Sequence, residues 1–439
     1  MSHPLFTADH KFDSYWLDGA PYANPPVSDV PAEVDVAIVG SGFTGMVAAL
    51  VLVREGRGVA VFDAGDAGVG CSSRNGGQCG GGLKGGIEDL SADYGRAKAL
   101  AMLQDARASL DFLTATIEQE NIDCDYDHCG RFVGANTPRQ YDEMLRGFEI
   151  SNREFGTESY GVSKADQRQE MGSDLYHGGG VIPHHTSLDP AKYHRGLQAM
   201  VLEAGAVIYA HTPVTNITPN STANGGAGFT VTTSRGTVRA GKVIVATNGY
   251  TNREQTFPAL RRRVIPIGSY MIATEPLEPG LMDILIPRNR VLNDTRRVVL
   301  YFRSSPDRRR IVFGGRVALA ETDPVVSGPR LHDIMSNIFP EVSNVKISHS
   351  WMGFVAYTFD KLPHLGVQDG LHYAMGYCGS GVAMASYLGH KIAHQVLGNS
   401  EGHTAFDDVK FQTRPFYDGQ PWFLATAVSW YKFLDSIGR

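Results

Sequence analysis

Residues 34–56 read VDVAIVGSGFTGMVAALVLVREG, and few folds accommodate such a segment. VDVAIV is a compact apolar run of the type that forms a buried parallel strand. It leads directly into Gly40-Ser41-Gly42-Phe43-Thr44-Gly45 and then into MVAALVLVREG, which reads as a helix. A second short apolar run, GVAVF at 58–62, ends at Asp63. Strand, glycine turn, helix, strand and terminal acid together form the βαβ unit that binds a dinucleotide. In that unit Gly40 permits the tight turn, Gly42 lets a pyrophosphate approach the backbone, and Gly45 lets the helix pack on the strand. The N-terminal N–H groups around Phe43 and Thr44 favour phosphate, and Asp63 would accept the adenosine ribose hydroxyls.

The residues after Asp63 distinguish one dinucleotide from another. Where an NAD-dependent dehydrogenase would begin its next helix, this chain continues AGDAGVGCSSRNGGQCGGG. Residues 68–86 hold nine glycines in nineteen. Gly/Ser linkers are monotonous, whereas this stretch carries Arg74, Asn75 and Gln78 at its centre. It reads as backbone that follows an extended cofactor past its pyrophosphate toward a flat ring. A second glycine cluster, GYCGSGVAMASYLGHKIAHQVLG from 376, reads as a strand end followed by a helix with small residues in its first turns. A positive helix N-terminus there would stabilise charge on a reduced ring.

SYWLDGAP at 14–21, VGSGFTGMVAAL, CSSRNGGQ, VIVATNGYT at 243–251 and GYCGSGVA at 376–383 together resemble the FAD-dependent D-amino-acid-oxidase-like (DAO) family. Within it they are most similar to the subgroup typified by gamma-glutamylputrescine oxidase. The resemblance implies an α/β fold, with a Rossmann-like FAD-binding domain of the glutathione-reductase type interleaved with a mixed-sheet α+β substrate domain. Residues 1–95, 171–265 and 346–439 would form the first, and 96–170 and 266–345 the second. It implies FAD contacts from Gly40, Gly42, Phe43, Thr44 and Gly45, from Asp63 and Ala64, and from Ser72, Ser73, Arg74, Asn75, Gly76, Gly77 and Gln78. Further contacts would come from the Val214 backbone at the adenine, from Ala246, Thr247, Asn248, Gly249, Tyr250 and Gly353, and from Gly379, Ser380, Gly381, Val382 and Ala383. Sarcosine-oxidase-type relatives attach flavin through a cysteine just before a Tyr-Thr pair, but here Val355-Ala356 precede Tyr357-Thr358. Other relatives use a histidine in the glycine loop, and this loop has none. FAD is therefore expected to bind non-covalently.

Composition is that of a globular chain, with 439 residues, 42% apolar and 20% charged. A net charge of −6 gives no electrostatic reason to expect nucleic acid. Five cysteines without a small-domain pattern suit a reducing compartment. Cys124 and Cys129 have no zinc-spaced Cys/His pair to accompany them, so no metal is expected. The polar and aromatic start lacks a signal peptide, and the apolar run 46–53 is too short to span a bilayer. The expected location is cytoplasmic.

Further elements follow in order. A helix is expected over 89–120 and another around 140–153, then one after Asp189 with Pro190 at its first position. A hairpin is expected over 224–242, and short strands at SYMIAT, VVLYFR and RRRIVFGGR. The chemistry implied is oxidation of a C–N bond in an amine or amino acid by hydride transfer to flavin, giving an imine that hydrolyses to a carbonyl product. The acceptor would be oxygen or an electron carrier. Alternative readings are a dehydrogenase that passes electrons to a quinone or carrier, and a catalytically silent flavin protein. Trp351, Tyr357, Tyr270 and Arg316 are the candidate catalytic residues. Phe354, Tyr301 and Arg303 are further wall or carboxylate candidates, and His184, His185, His349 and His364 are possible proton carriers. Each aromatic could equally be core, and each histidine simply a hydrogen-bonded part of the framework.

Overall fold

The computed structural model describes residues 3–220, 228–251, 256–318 and 321–436. At the centre of one sheet, Glu33–Val39 lies between Val59–Phe62 and Gly236–Val245, with Val207–Tyr209 beyond Val59–Phe62, all parallel. These strands are apolar on both faces because helices cover them. Phe43–Arg54 leaves the glycine turn and buries nine of its twelve residues. Strand Gly236–Val245 forks. Its first half pairs antiparallel with Phe229–Thr233, and its last residues, Ile244 and Val245, pair in parallel with Leu371–Met375. The expected hairpin is thus Phe229–Thr233 with Gly236–Val245, and residues 224–227 lie outside the described residues.

The second sheet has nine strands and is largely antiparallel. Its backbone is the ladder between Ile265–Thr274 and Ile347–Tyr357, paired from Ile265 with Tyr357 to Thr274 with Ile347. Ile311–Gly315, Leu300–Ser304, Val291–Asp294, Arg131–Gly134, Gly179–Ile182 and Tyr160–Val162 continue it on one side, and Phe6–Lys11 closes the other. The sequence reading put segments 6–11, 179–182 and 347–357 with the FAD-binding domain. Hydrogen-bond pairing puts their strands here, because strand partnership is a long-range choice that local pattern does not encode. The 347–357 strand still reaches the first sheet: the Cys378 N–H donates to the Ala356 carbonyl at 3.0 Å.

The helices start and stop where chemistry dictates. The expected 89–120 helix is two, Ile87–Tyr94 and Arg96–Gln119, divided at Gly95 with φ 80°. Pro138–Phe155 is capped by the Thr137 hydroxyl. Pro190–Glu203 begins on Asp189, whose carboxylate accepts from the N–H groups of Ala191 and Lys192. Burial raises that carboxyl to a pKa of about 6. Gly381–Leu397 packs on Phe43–Arg54 so closely that a Cβ at Gly389 would lie 2.6 Å from the Thr44 carbonyl oxygen.

That approach makes Gly389→Ala a test of the helix pairing. The methyl group must push two helix backbones apart, and we expect a loss of about 1–3 kcal/mol, the usual cost of overpacking. It would be read as a lower urea midpoint at unchanged slope.

Candidate flavin site

Val39, Phe62, Val245 and Met375 end their parallel strands on one side of the sheet, where ligands bind in open α/β folds. The glycine turn sits there. Gly40 has φ 103°, and its N–H donates to the Phe62 carbonyl at 2.8 Å. A Cβ at Gly40 would come within 2.8 Å of the Ala246 carbonyl oxygen, and one at Gly45 would collide with the Gly40 carbonyl. Both glycines are therefore required by the protein's own packing. Gly42, the N-cap of Phe43–Arg54, offers no side chain, and the Phe43 N–H is met by the Ser72 hydroxyl at 3.0 Å.

Asp63 faces the same turn. One carboxylate oxygen accepts from the Ser41 N–H and hydroxyl, at 2.9 and 2.5 Å, and the other from the Gly65 N–H at 3.1 Å. Ser41 is the hub of this corner. Its hydroxyl accepts from the Gly68 N–H, and its carbonyl lies 2.7 Å from Nε2 of the buried His194. Burial holds the His194 pKa below the usual imidazole range, so the ring is neutral and its N–H serves the carbonyl. Sequence reading singled out neither residue. Ser41 lies at a variable place inside the motif, and His194 arrives from a helix, 153 residues further along the chain. Val214 is buried, just past Thr212, whose N–H donates to the Asp63 carbonyl at 2.7 Å. Ala64 beside it is exposed.

The glycine loop is clamped. The Ser14 hydroxyl donates to the Ser73 carbonyl, the Trp16 indole N–H to the Asn75 carbonyl and the Trp351 indole N–H to the Arg74 carbonyl. Arg303 donates to the carbonyls of Gly77 and Leu188, and Gln78 to those of Leu292 and Phe302. Asn75 folds the loop on itself, donating to Cys71 and Ser72 carbonyls and accepting from the Gly77 N–H. Arg74 turns outward to the Val69 carbonyl and to Asp13 at 3.3 Å. A Cβ at Gly76 would press on the Tyr301 ring, and one at Gly353 would lie 2.8 Å from the Cys71 sulfur.

Opposite the loop, the Gly376 N–H donates to the Asn248 side chain, and Thr247 pairs with Thr251 at 2.7 Å. A Cβ at Gly249 would strike the Phe354 carbonyl. Tyr250 is lodged against Phe354, with its hydroxyl pKa raised by burial. Cys378, in the left-handed region at φ 52°, is buried, and its thiol is pushed up to a pKa of about 11. Helix Gly381–Leu397 starts from Ser380 without a side-chain cap, with Val382 and Ala383 buried behind it. Thr44 and Tyr377 hydroxyls meet at 2.6 Å, so the Tyr377 side chain ties the approach to this helix to the start of Phe43–Arg54. A Cβ at Gly381 would find only Tyr377, at 3.9 Å, and one at Gly379 only Lys84 and Tyr357, also at 3.9 Å. No protein contact demands glycine at 381.

The candidate catalytic residues separate. The Tyr270 hydroxyl donates to Glu321 and accepts from the Thr322 N–H, each at 2.9 Å, and the residue is fully buried. Trp351 is fully buried too, its N–H committed to the loop. Arg316 donates to the Gly268 carbonyl at 2.7 Å and to Glu321 at 3.2 Å. These groups build the framework. Tyr357 alone of the four stands at the rim, with its hydroxyl near the Gly379 position. Tyr301 bonds to Ser269 at 2.8 Å. Of the histidines, His364 lies 3.0 Å from Asp360, His349 3.1 Å from Asp18 and His184 3.4 Å from Glu158. His185 is half-buried, and desolvation holds its pKa well down. Lys84, which sequence reading passed over, brings a largely buried ammonium to the Tyr357 rim. Burial lowers its pKa.

Comparison with known proteins matches this architecture. Residues 35–395 match the FAD dependent oxidoreductase (DAO) family model, and the chain belongs to that family. It is an FAD-dependent oxidoreductase. It is 31% identical over 431 residues to a probable oxidoreductase, OrdL, of Haemophilus influenzae, covering 96% of this chain and 97% of that one. It is 29% identical over 440 residues to the gamma-glutamylputrescine oxidoreductase of Escherichia coli, covering 98% and 99%. Among solved structures, glycine oxidase from Geobacillus kaustophilus superposes with a TM-score of 0.70 at 21% identity, covering 88% of this chain and 99% of its own. L-proline dehydrogenase from P. horikoshii follows at 0.68 and 18%, covering 91% and 99%. No helix among the described residues is long and apolar enough to cross a membrane.

Two variants test the site. Gly381→Val leaves the protein interior undisturbed, so we expect a folded chain that purifies without flavin. Full flavin occupancy would remove Gly381 from the site. Asp63→Ala deletes charge-assisted bonds worth about 1.5–3 kcal/mol, roughly a ten- to hundredfold loss of FAD affinity. Titration of the apoprotein with FAD measures it, and equal dissociation constants would leave Asp63 as a brace for Ser41 only.

Proposed function

We propose that this chain oxidises a C–N bond of a small amine or amino acid and binds its FAD non-covalently. The observation that carries the reading is a pair of packed helices, Phe43–Arg54 and Gly381–Leu397, that both begin without side-chain caps of their own. Each follows the carboxyl end of a parallel strand, and the second begins at a glycine position that packing leaves open. When bound, FAD supplies the hydride acceptor and hands the electrons to oxygen or a carrier. The chain's own part begins with the Gly40–Gly45 turn, whose N–H groups and helix end favour the phosphates, while Asp63 takes the ribose. Residues 72–78 would hold the ring. Gly379–Ala383 would bring positive potential to the side of the ring that gains negative charge. FAD binding is assigned to the eight-stranded sheet with its helices, and the substrate to the nine-stranded sheet.

Tyr357 and Lys84 are the polar side chains at the ring's open side. The Tyr357 hydroxyl, its pKa raised by burial, is a neutral donor that can orient an amine nitrogen. Lys84 can hold an anionic group, with no partner carboxylate competing for it among the described residues. The amine must reach the site uncharged, and no side-chain base is required for that, because the protein can bind the neutral fraction. Support from the relatives is of the same kind: the similar proteins are named for gamma-glutamylputrescine, glycine and L-proline.

The test is a panel of amines and amino acids added anaerobically to the yellow protein, with flavin absorbance followed. Bleaching by a member of the panel is the expected outcome, with recovery in air marking an oxidase and recovery only with a quinone marking a dehydrogenase. A flavin that no amine bleaches would sink the reading. Acid precipitation should leave the flavin in the supernatant, and colour retained in the pellet would mean a covalent link.

A further inference from the structure

Helix Gly381–Leu397 runs about 25 Å from its N-terminus at the flavin site to its other end, where a separate cluster sits. His390 and His394 are four residues apart and share a face, with ring centroids 4.4 Å apart. The chain leaves the helix through Gly398 at φ 75° and turns at Ser400–Gly402. That turn brings the Glu401 carboxylate back to 3.3 Å from His394 Nε2 and 3.8 Å from His390 Nε2. One ligand atom from each of the three lies within 4.8 Å of the others. We propose that His390, His394 and Glu401 bind a divalent transition-metal ion of zinc-like preference, with water in the remaining position.

Two imidazoles and a carboxylate form a donor set suited to zinc. The surroundings support ligation. The Asn399 amide lies 2.9 Å from His394 Nδ1. Turned so that its oxygen accepts from Nδ1–H, it leaves the Nε2 lone pair facing Glu401. The turn carrying Glu401 is itself held, by the Lys391 ammonium on the Glu401 carbonyl at 2.8 Å and by Gln395 on the Gly402 carbonyl at 3.1 Å. The last turn of a helix carries partial negative charge, which favours a cation. An ion at about 2.1 Å from each ligand would draw the ligand atoms to roughly 3.4 Å of one another. Glu401 is already 3.3 and 3.8 Å from the two imidazoles, so the remaining adjustment falls to the rings, of which His390 is part-exposed. The ion would tie the end of the helix to the chain that follows it.

The experiment uses untagged, full-length, FAD-loaded protein, stripped with a chelator and desalted. Zn²⁺ is titrated in competition with a chromogenic indicator, and Co²⁺ is followed by its visible ligand-field spectrum. We expect one Zn²⁺ per chain, a four-coordinate Co²⁺ spectrum and a metal-dependent rise in melting temperature. Glu401→Gln and His390→Asn, at exposed and part-exposed positions, should each weaken binding by tenfold or more, and Asn399→Ala by about tenfold. His128→Asn, at an exposed histidine outside the cluster, should change nothing. Two results overturn the proposal: wild type lacking a stoichiometric ion, or equal affinity in wild type and the His390→Asn/Glu401→Gln double variant. Flavin content read alongside keeps this result separate from the proposed reaction.

Discussion

Carbonyl groups of the glycine loop are held by donors that reach in from distant parts of the chain, and the site is arranged around that loop. Residues 68–78 have almost no regular secondary structure to pair their backbone. Ser14, Trp16, Trp351 and Arg303 do so instead. A buried carbonyl that lost its donor would cost about 1–3 kcal/mol, so each clamp constrains the others. Because Trp351 and Arg303 belong to the nine-stranded sheet and the loop follows the parallel sheet, the same bonds join the two halves of the molecule. A backbone immobilised in this way can lie flat against a ring, which a mobile linker could not.

The electrostatics follow from dipoles more than from charges. Arg303 is fully buried, yet its guanidinium faces carbonyl oxygens and not a carboxylate, so its charge is spent on holding the loop. Positive potential comes instead from the N-terminal ends of the two packed helices, Phe43–Arg54 and Gly381–Leu397. Lys84 adds a cation whose protonated form burial disfavours. Such a site suits a ligand that gains negative charge at one edge and remains neutral elsewhere.

Local features were readable in the linear order of residues. The βαβ unit, its glycines, the Asp189 cap and the helix start at Gly381 each depend on neighbours within a few positions, where pattern and backbone sterics suffice. The framework roles of Trp351, Tyr270 and Arg316 were not readable. An aromatic beside a cofactor segment looks the same in sequence whether its polar atom faces a cavity or a carbonyl. The partners that decide it, Arg74, Glu321 and Gly268, lie 277, 51 and 48 residues away. Ser41 and His194 were missed for the same reason.

By itself the sequence determined that the chain makes a dinucleotide turn and that its glycines must accept a close neighbour, since only residues without a side chain allow those backbone angles and approaches. The tertiary structure decided which glycines are filled by the protein's own packing and which are left open. Gly45 is filled by the Gly40 carbonyl, whereas Gly381 faces open space. It also decided that strand 347–357 joins the nine-stranded sheet and that Tyr357 stands at the rim while Trp351 is sealed behind it. Those outcomes depend on pairing register and on which face of a strand meets the core, and both are set only when distant segments pack together.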